Sequence, residues 1–260
     1  MLTGRSSAPP MSGHSKWAQI KRQKGANDTK RVQVFTKLAR EITIAARQGG
    51  GDPDGNFRLR LAMQRARGLN MPAENITRAI ARATGTGEDG GSLEEVTYEG
   101  YGPSGVAIFI EALTDNRNRT VAEVRNVFTR GGGGMGDSGS VAWIFDARGC
   151  VVIPAAGVDA DELTLTAIDA GAIDVIADAT SIEVYTEVED LEAVRRTLDV
   201  QKLAIESADR VFVPKTLVTV DAEAAGKVLR LVERLEDLDD VQNVYSNVLL
   251  TPEILAVLAE

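Results

Sequence analysis

Cysteine and histidine each occur once in the 260 residues, and aromatic side chains make up only 5% of them. A lone cysteine, Cys150, closes no internal disulfide, so the chain is no cystine-stapled secreted scaffold and points to a reducing compartment. Its neighbours Val151, Val152 and Ile153 give it the setting of a buried thiol rather than a reactive one. One histidine with one cysteine excludes the usual zinc sites and Cys-His catalytic pairs. No apolar run approaches the ~18 residues of a spanning helix, and the opening MLTGRSSAPP lacks the apolar stretch of a signal peptide. A cytoplasmic protein without a membrane partner is expected. With 43% apolar and 26% charged residues, the chain has the make-up of a globular protein long enough for two domains or three small ones.

The net charge of −9 conceals two opposite blocks. Residues 1–84 carry 16 Lys/Arg against 5 Asp/Glu, and residues 85–260 carry 13 against 33. Such asymmetry is the footprint of a polyanion-binding module joined to an acidic body; two merely solvated surfaces are the alternative.

In the basic block, Val34, Phe35, Leu38, Ile42 and Ala45 recur at helical spacing, and Lys30, Lys37, Arg40 and Arg47 share another side of the same helix. Gly49-Gly50-Gly51 ends it, since glycine adopts the left-handed conformation of helix termini. A second helix is expected over Asn56–Arg67, with Phe57, Leu61 and Ala62 inward and Arg58/Arg65 and Arg60/Arg67 on its flanks. Pro72 opens a third, with Ile76, Ala79, Ile80 and Ala83 on one face and Arg78/Arg82 one turn apart. Five acids cannot neutralise sixteen bases, so phosphates are the natural partner. An arm with His14, Ser15, Lys16, Trp17, Lys21, Arg22 and Lys24 adds backbone contacts and one aromatic, which either stacks on an unpaired base or packs beneath the first helix.

The acidic block reads as a hairpin, Val96–Tyr101 and Val106–Ile110, turned by Gly102-Pro103-Ser104-Gly105, after a glycine-rich hinge at 85–91. A helix capped by Thr120 follows, with Val121, Val124, Val127 and Phe128 as its apolar face. Strands at 141–145 and 150–153, a helix at 159–170, strands at 173–178 and 181–187, a helix at 189–199 and a strand at 203–213 come next. From 150 on, that order is βαββαβ, the ferredoxin-like arrangement. A strand at 217–220, a helix at 222–235 and a strand at 241–245 close the chain. The expected class is α+β: an N-terminal helical bundle followed by two small α/β domains, one ferredoxin-like and inserted in the other. The expected boundaries are a disordered extension at 1–11, a basic helical domain at 12–84, a discontinuous domain at 85–134 plus 214–260, and an insert at 135–213.

Gly134-Met135-Gly136-Asp137-Ser138-Gly139 satisfies G-x-G-x-x-G, but a dinucleotide site needs those glycines after a strand and before a helix. Here the order is helix, glycines, strand, so a flexible linker is expected. The alternative, a nucleotide-using enzyme with 131–139 as phosphate loop, is the weaker reading. Glu94/Glu95 and the run Glu236-Asp237-Leu238-Asp239-Asp240 could hold a hard cation, although charge runs are usually solvated faces. Neither a metal nor another cofactor is expected.

Six ordered segments resemble the YebC family, whose mitochondrial members are translational activators of cytochrome c oxidase. They are Gly13-His14-Ser15-Lys16-Trp17-Ala18, Phe35-Thr36-Lys37-Leu38-Ala39-Arg40-Glu41-Ile42, Asn70-Met71-Pro72 with Asn75-Ile76, Tyr98-Glu99-Gly100-Tyr101-Gly102-Pro103, Thr114-Asp115-Asn116-Arg117-Asn118-Arg119-Thr120, and Ser140-Val141-Ala142-Trp143-Ile144-Phe145. The resemblance implies a helical domain with two α/β domains, no enzymatic activity, and a role either as DNA-binding transcriptional regulator or as ribosome-associated translation factor. Ribosomal RNA, promoter DNA and the ribosome are the implied partners. The expected nucleic-acid contacts are the arm residues above with Lys30, Arg31, Lys37, Arg40, Arg47, Arg58, Arg65, Arg78 and Arg82. Arg117 and Arg119 complete the set, although their motif reads first as a run of turn and cap formers around Asp115, Asn116 and Asn118.

Overall fold

The computed structural model describes residues 28–85, 93–251, 253, 254 and 257, and side chains from Val34 onward. Among them, Phe145–Lys215 form one compact unit, and those before Phe145 together with those after Lys215 form the other. The arm from His14 to Lys24, the extension at 1–11 and the hinge at 86–91 lie outside the described residues.

The larger unit opens with three helices, α1 (Asp28–Gly49), α2 (Phe57–Gly68) and α3 (Ala73–Ala83). Their core is Leu38, Ile42, Ala45 and Ala46 of α1, Leu59, Ala62, Met63 and Ala66 of α2, and Ile76 and Ala79 of α3. Val34, placed on the apolar stripe by its spacing, is exposed instead. Phe57 is also not central: it lies half-exposed under the Arg60 guanidinium, 5.3 Å from the ring centroid. Asn56 sets the α1–α2 corner. Its side chain accepts from the Leu59 N–H as an N-cap and donates to the carbonyls of Ala45 and Gly50, with Gly50 at φ 86°.

The same unit then builds a four-stranded antiparallel sheet from β1 (Glu94–Tyr101), β2 (Ala107–Thr114), β3 (Gly134–Met135) and β8 (Val241–Ser246), in the order β3-β1-β2-β8. Two helices, α4 (Arg117–Arg130) and α7 (Ala222–Glu236), cover it, burying Val124, Phe128, Val228, Leu231 and Leu235 against Ile108 and Ile110. The β1–β2 turn is a 3₁₀ turn, Pro103–Gly105, in which Ser104 and Gly105 both have positive φ. Two expectations fail here. Thr120 does not cap α4, because Asn116 accepts the Arg119 N–H and Thr120 lies buried inside the helix. The strand at 217–220 reduces to a single parallel bridge, Val218 with Val248.

The smaller unit runs β4 (Phe145–Pro154), α5 (Ala160–Asp169), β5 (Asp174–Ala177), β6 (Ser181–Thr186), α6 (Leu191–Val200) and β7 (Ser207–Pro214). Its sheet is antiparallel throughout, in the order β5-β6-β4-β7. Val151 pairs with Val184 and Ile153 with Ile182, and all four are at most 1% exposed. Alternation puts Cys150 on the other face, buried with Tyr185 and Val213. Burial pushes its thiol pKa up, and the charges of Glu183 and Asp209 add to the shift. Residues 141–145 are not a separate strand: a 3₁₀ turn, Ala142–Ile144, leads directly into β4.

Candidate nucleic-acid interface

A groove of about 420 Å³ runs between α1 and α3. Thr43, 3% exposed, ties its floor by donating to the carbonyls of Ala39 and Ala79. Arg78 and Arg82 stand exposed along its α3 wall, one turn apart at i and i+4, while Ile76 and Ala79 of the same helix are buried. Arg78 pairs with Glu74 at 2.8 Å, but both groups are more than half exposed, where such a pair is worth roughly 0–1 kcal/mol and yields readily to a competing anion.

The cations along α1 are placed differently. Lys37 donates to the backbone carbonyl of Glu236, Arg40 to the Asp240 carboxylate at 2.6 Å, and Arg47 to the backbone carbonyl of Leu93. These three side chains tie α1 to the sheet's end of the unit. Asp240, 2% exposed, is the centre of that junction. It accepts from Arg40, from Arg119 at 2.8 Å, from the Thr120 hydroxyl at 2.6 Å and from the Thr114 hydroxyl at 3.1 Å. Burial pushes its carboxyl pKa up, but the hydrogen bonds from Thr120 and Arg119 and the charge of Arg40 outweigh it and hold the value below the ordinary one. The hydrogen bonds to Asp240 and Asp115 raise the Arg119 guanidinium correspondingly. The sequence places Asp240 in an acidic run of the kind that is usually solvated, and its only distinguishing signal there is its position just before β8.

Arg58 donates to Gln48, Arg65 pairs with Glu41 at 2.6 Å, and Arg117 faces Glu94 at 3.4 Å with both side chains exposed. Arg67 is exposed on α2. Lys30 and Arg31 belong to the first turns of α1, where only the backbone is described, and His14, Ser15, Lys16, Trp17, Lys21, Arg22 and Lys24 lie outside the described residues. The structure therefore brings Arg78 and Arg82 together on an open wall, with Arg40 also lining the groove while paired with Asp240, and turns Lys37, Arg47 and Arg119 toward their own protein.

The glycine-rich stretch is not a flexible linker. Gly134–Met135 forms edge strand β3 on β1, and the Glu99 carboxylate, 4% exposed, accepts from the N–H groups of Gly139 at 2.6 Å, Val141 at 2.7 Å and Ala142 at 2.8 Å. Gly136 N–H goes to the Glu99 carbonyl. A phosphate loop needs such donors free for the ligand, and here an internal carboxylate holds them. Among the described residues, no group of three or more His, Cys, Asp or Glu is placed to hold a metal ion, and no helix is long and apolar enough to cross a membrane.

Residues 15–86 match the model for the TACO1/YebC protein N-terminal domain, and residues 93–248 the model for the TACO1/YebC second and third domain. A protein of Herpetosiphon aurantiacus named "Probable transcriptional regulatory protein" is 53% identical over 251 residues, spanning 96% of this chain and 99% of its own. Another of the same name from Chloroflexus aurantiacus is 55% identical, over 95% of this chain and 98% of its own. Among solved structures, a conserved hypothetical protein of Aquifex aeolicus superposes with a TM-score of 0.82 at 45% identity, over 92% of this chain and 99% of that one.

Proposed function

The chain belongs to the TACO1/YebC family, and from that premise we propose that it is a non-enzymatic, cytoplasmic, nucleic-acid-binding regulator of gene expression. It grips phosphate backbone through the basic helical domain, residues 12–84. The rest is a discontinuous domain that carries the ferredoxin-like unit Phe145–Lys215. The observation that carries this reading is the α3 wall: Arg78 and Arg82 stand exposed beside a groove, in a segment with 16 Lys/Arg against 5 Asp/Glu. The relatives' name, probable transcriptional regulatory protein, supports regulation of gene expression. Arginine on that wall suits phosphate, which positions a protein without reading sequence, and most hydrogen bonds to nucleic acid are of that kind. We therefore favour structured RNA of the ribosome as the target, with promoter DNA, which the relatives' name favours, as the second reading.

Gradient sedimentation of tagged protein from growing cells at two salt concentrations tests this, because backbone binding weakens steeply with salt. Co-migration with ribosomes at low salt, lost at high salt and lost in an Arg78→Glu/Arg82→Glu variant, is the expected result. Absence from ribosomes with recovery of specific DNA fragments would transfer the reading to transcription. Binding unaffected by the double reversal would remove the α3 wall from the interface.

A further inference from the structure

Within the acidic part of the chain, one cleft is cationic. It has a volume of about 670 Å³ and lies between the end of α4, the Pro103–Gly105 turn and the outer face of α7. Arg130, Lys227, Arg230 and Arg234 line it, and no carboxylate does. Residues 85–260 hold 33 acidic side chains against 13 basic ones, so four cations with no acid in one cleft run against the composition around them.

The fold holds this arrangement in place. Lys227, Arg230 and Arg234 fall at i, i+3 and i+7 on α7, the stripe left exposed once Val228, Leu231, Val232 and Leu235 are buried. They form a row about 10 Å long at 1.5 Å per residue. Leu231, 1% exposed, is the floor, and α7 comes this near α4 because residue 131 is glycine: a Cβ there would lie 2.7 Å from the Leu231 Cδ1. Arg130, the last residue of α4, completes the opposite wall. Among the described residues, Arg130, Arg230 and Arg234 make no ion pair; Lys227 reaches Glu223 at 2.8 Å, with both side chains more than half exposed. Four like charges in an open cleft repel one another, and an elongated ligand with several negative charges relieves that repulsion.

We propose that this cleft is a second phosphate-binding site, which takes a further stretch of the polynucleotide backbone held by the helical domain. It rests on the reading that the protein binds nucleic acid, and it adds a contact on the opposite, acidic part of the chain. The test is fluorescence anisotropy of the full chain with labelled single-stranded RNA and DNA oligonucleotides of one sequence, titrated at several salt concentrations. Three variants are compared: Arg130→Ala/Arg230→Ala/Arg234→Ala, its Lys counterpart at the same positions, and Arg78→Ala/Arg82→Ala. All five positions are exposed, and circular dichroism checks the fold of each variant.

The expected result is that the triple Ala variant lowers the slope of log K against log salt by about 2, at about 0.7 per single-strand phosphate contact, while the Lys variant keeps it. A loss with RNA alone assigns the cleft to RNA, and a loss with DNA alone to DNA. Unchanged affinity and slope in the triple Ala variant, with a loss in Arg78→Ala/Arg82→Ala, would overturn the cleft and leave the helical interface standing. The reverse pattern would keep the cleft and remove the α3 wall. Failure of the unsubstituted protein to bind either oligonucleotide would overturn the cleft as a site for polynucleotide backbone, and the sedimentation experiment then decides the helical interface on its own.

Discussion

Asp240 makes four contacts while 2% exposed, and the chemistry of those contacts sets its effect on stability. Removing one partner of a buried ion pair costs about 3–5 kcal/mol, because the remaining charge is left uncompensated. Asp240→Ala should therefore lower unfolding stability by about 3 kcal/mol, read as a fall in the urea midpoint. The pH dependence follows from the depressed carboxyl pKa. The unfolded state binds the proton more tightly, so the stabilisation is fully present above the ordinary Asp value of about 3.9 and is lost as pH falls through the lower folded value. Urea unfolding between pH 2 and 7 should show the gap between the parent protein and Asp240→Asn closing at the acid end. A gap that stays constant would mean that Asp240 acts through shape alone. Arg40 shows where sequence reading stops at this scale. Its helical side and charge were legible, but a guanidinium seeks phosphate and carboxylate alike, and the carboxylate that took it is 200 residues away in the chain.

At the scale of elements, periodicity carries most of the information. The three helices of the basic block, the hairpin and the βαββαβ order emerge from apolar spacing, since a buried face recurs every 3.6 or every 2 residues. The glycine-rich stretch has no such period, and its order comes from outside itself. Glu99 supplies the acceptors, and Gly100 leaves the room: a Cβ on Gly100 would lie 2.6 Å from the Gly134 carbonyl oxygen and 2.7 Å from Phe128. Gly100→Ala should thus push β3 off β1 and cost about 1–3 kcal/mol. Limited proteolysis is the check, with new cleavage expected within 133–142. A cleavage pattern identical to the parent's would mean that the Glu99 bonds alone hold the segment.

For the whole molecule, the sequence shows that charge is divided between two parts of the chain, and it does not show which cations remain available. Three of the α1 cations join the helical part to the end of α7 and the approaches to β1 and β8 in the same unit, whereas three on α7 stand exposed within the acidic remainder. Net charge per segment could not reveal either fact, because it counts side chains without regard to their partners. Helical spacing at 227, 230 and 234 was the available signal, hidden among the surrounding acids. In the salt-dependent sedimentation proposed above, the binding that decays with ionic strength counts the cations that contact phosphate, including those such as Arg78 whose exposed ion pair yields to it.

Cys150 gives the smaller unit a built-in stopwatch. A thiol that is 5% exposed and has a raised pKa is almost wholly protonated at neutral pH, so a disulfide-exchange reagent can reach it only when β4 separates from its neighbours. Because the chain has no second thiol, every labelling event reports that opening and no other. The labelling rate of Asp240→Ala should therefore equal the parent's if the two units open independently, and should rise if the junction in the larger unit also restrains the smaller one.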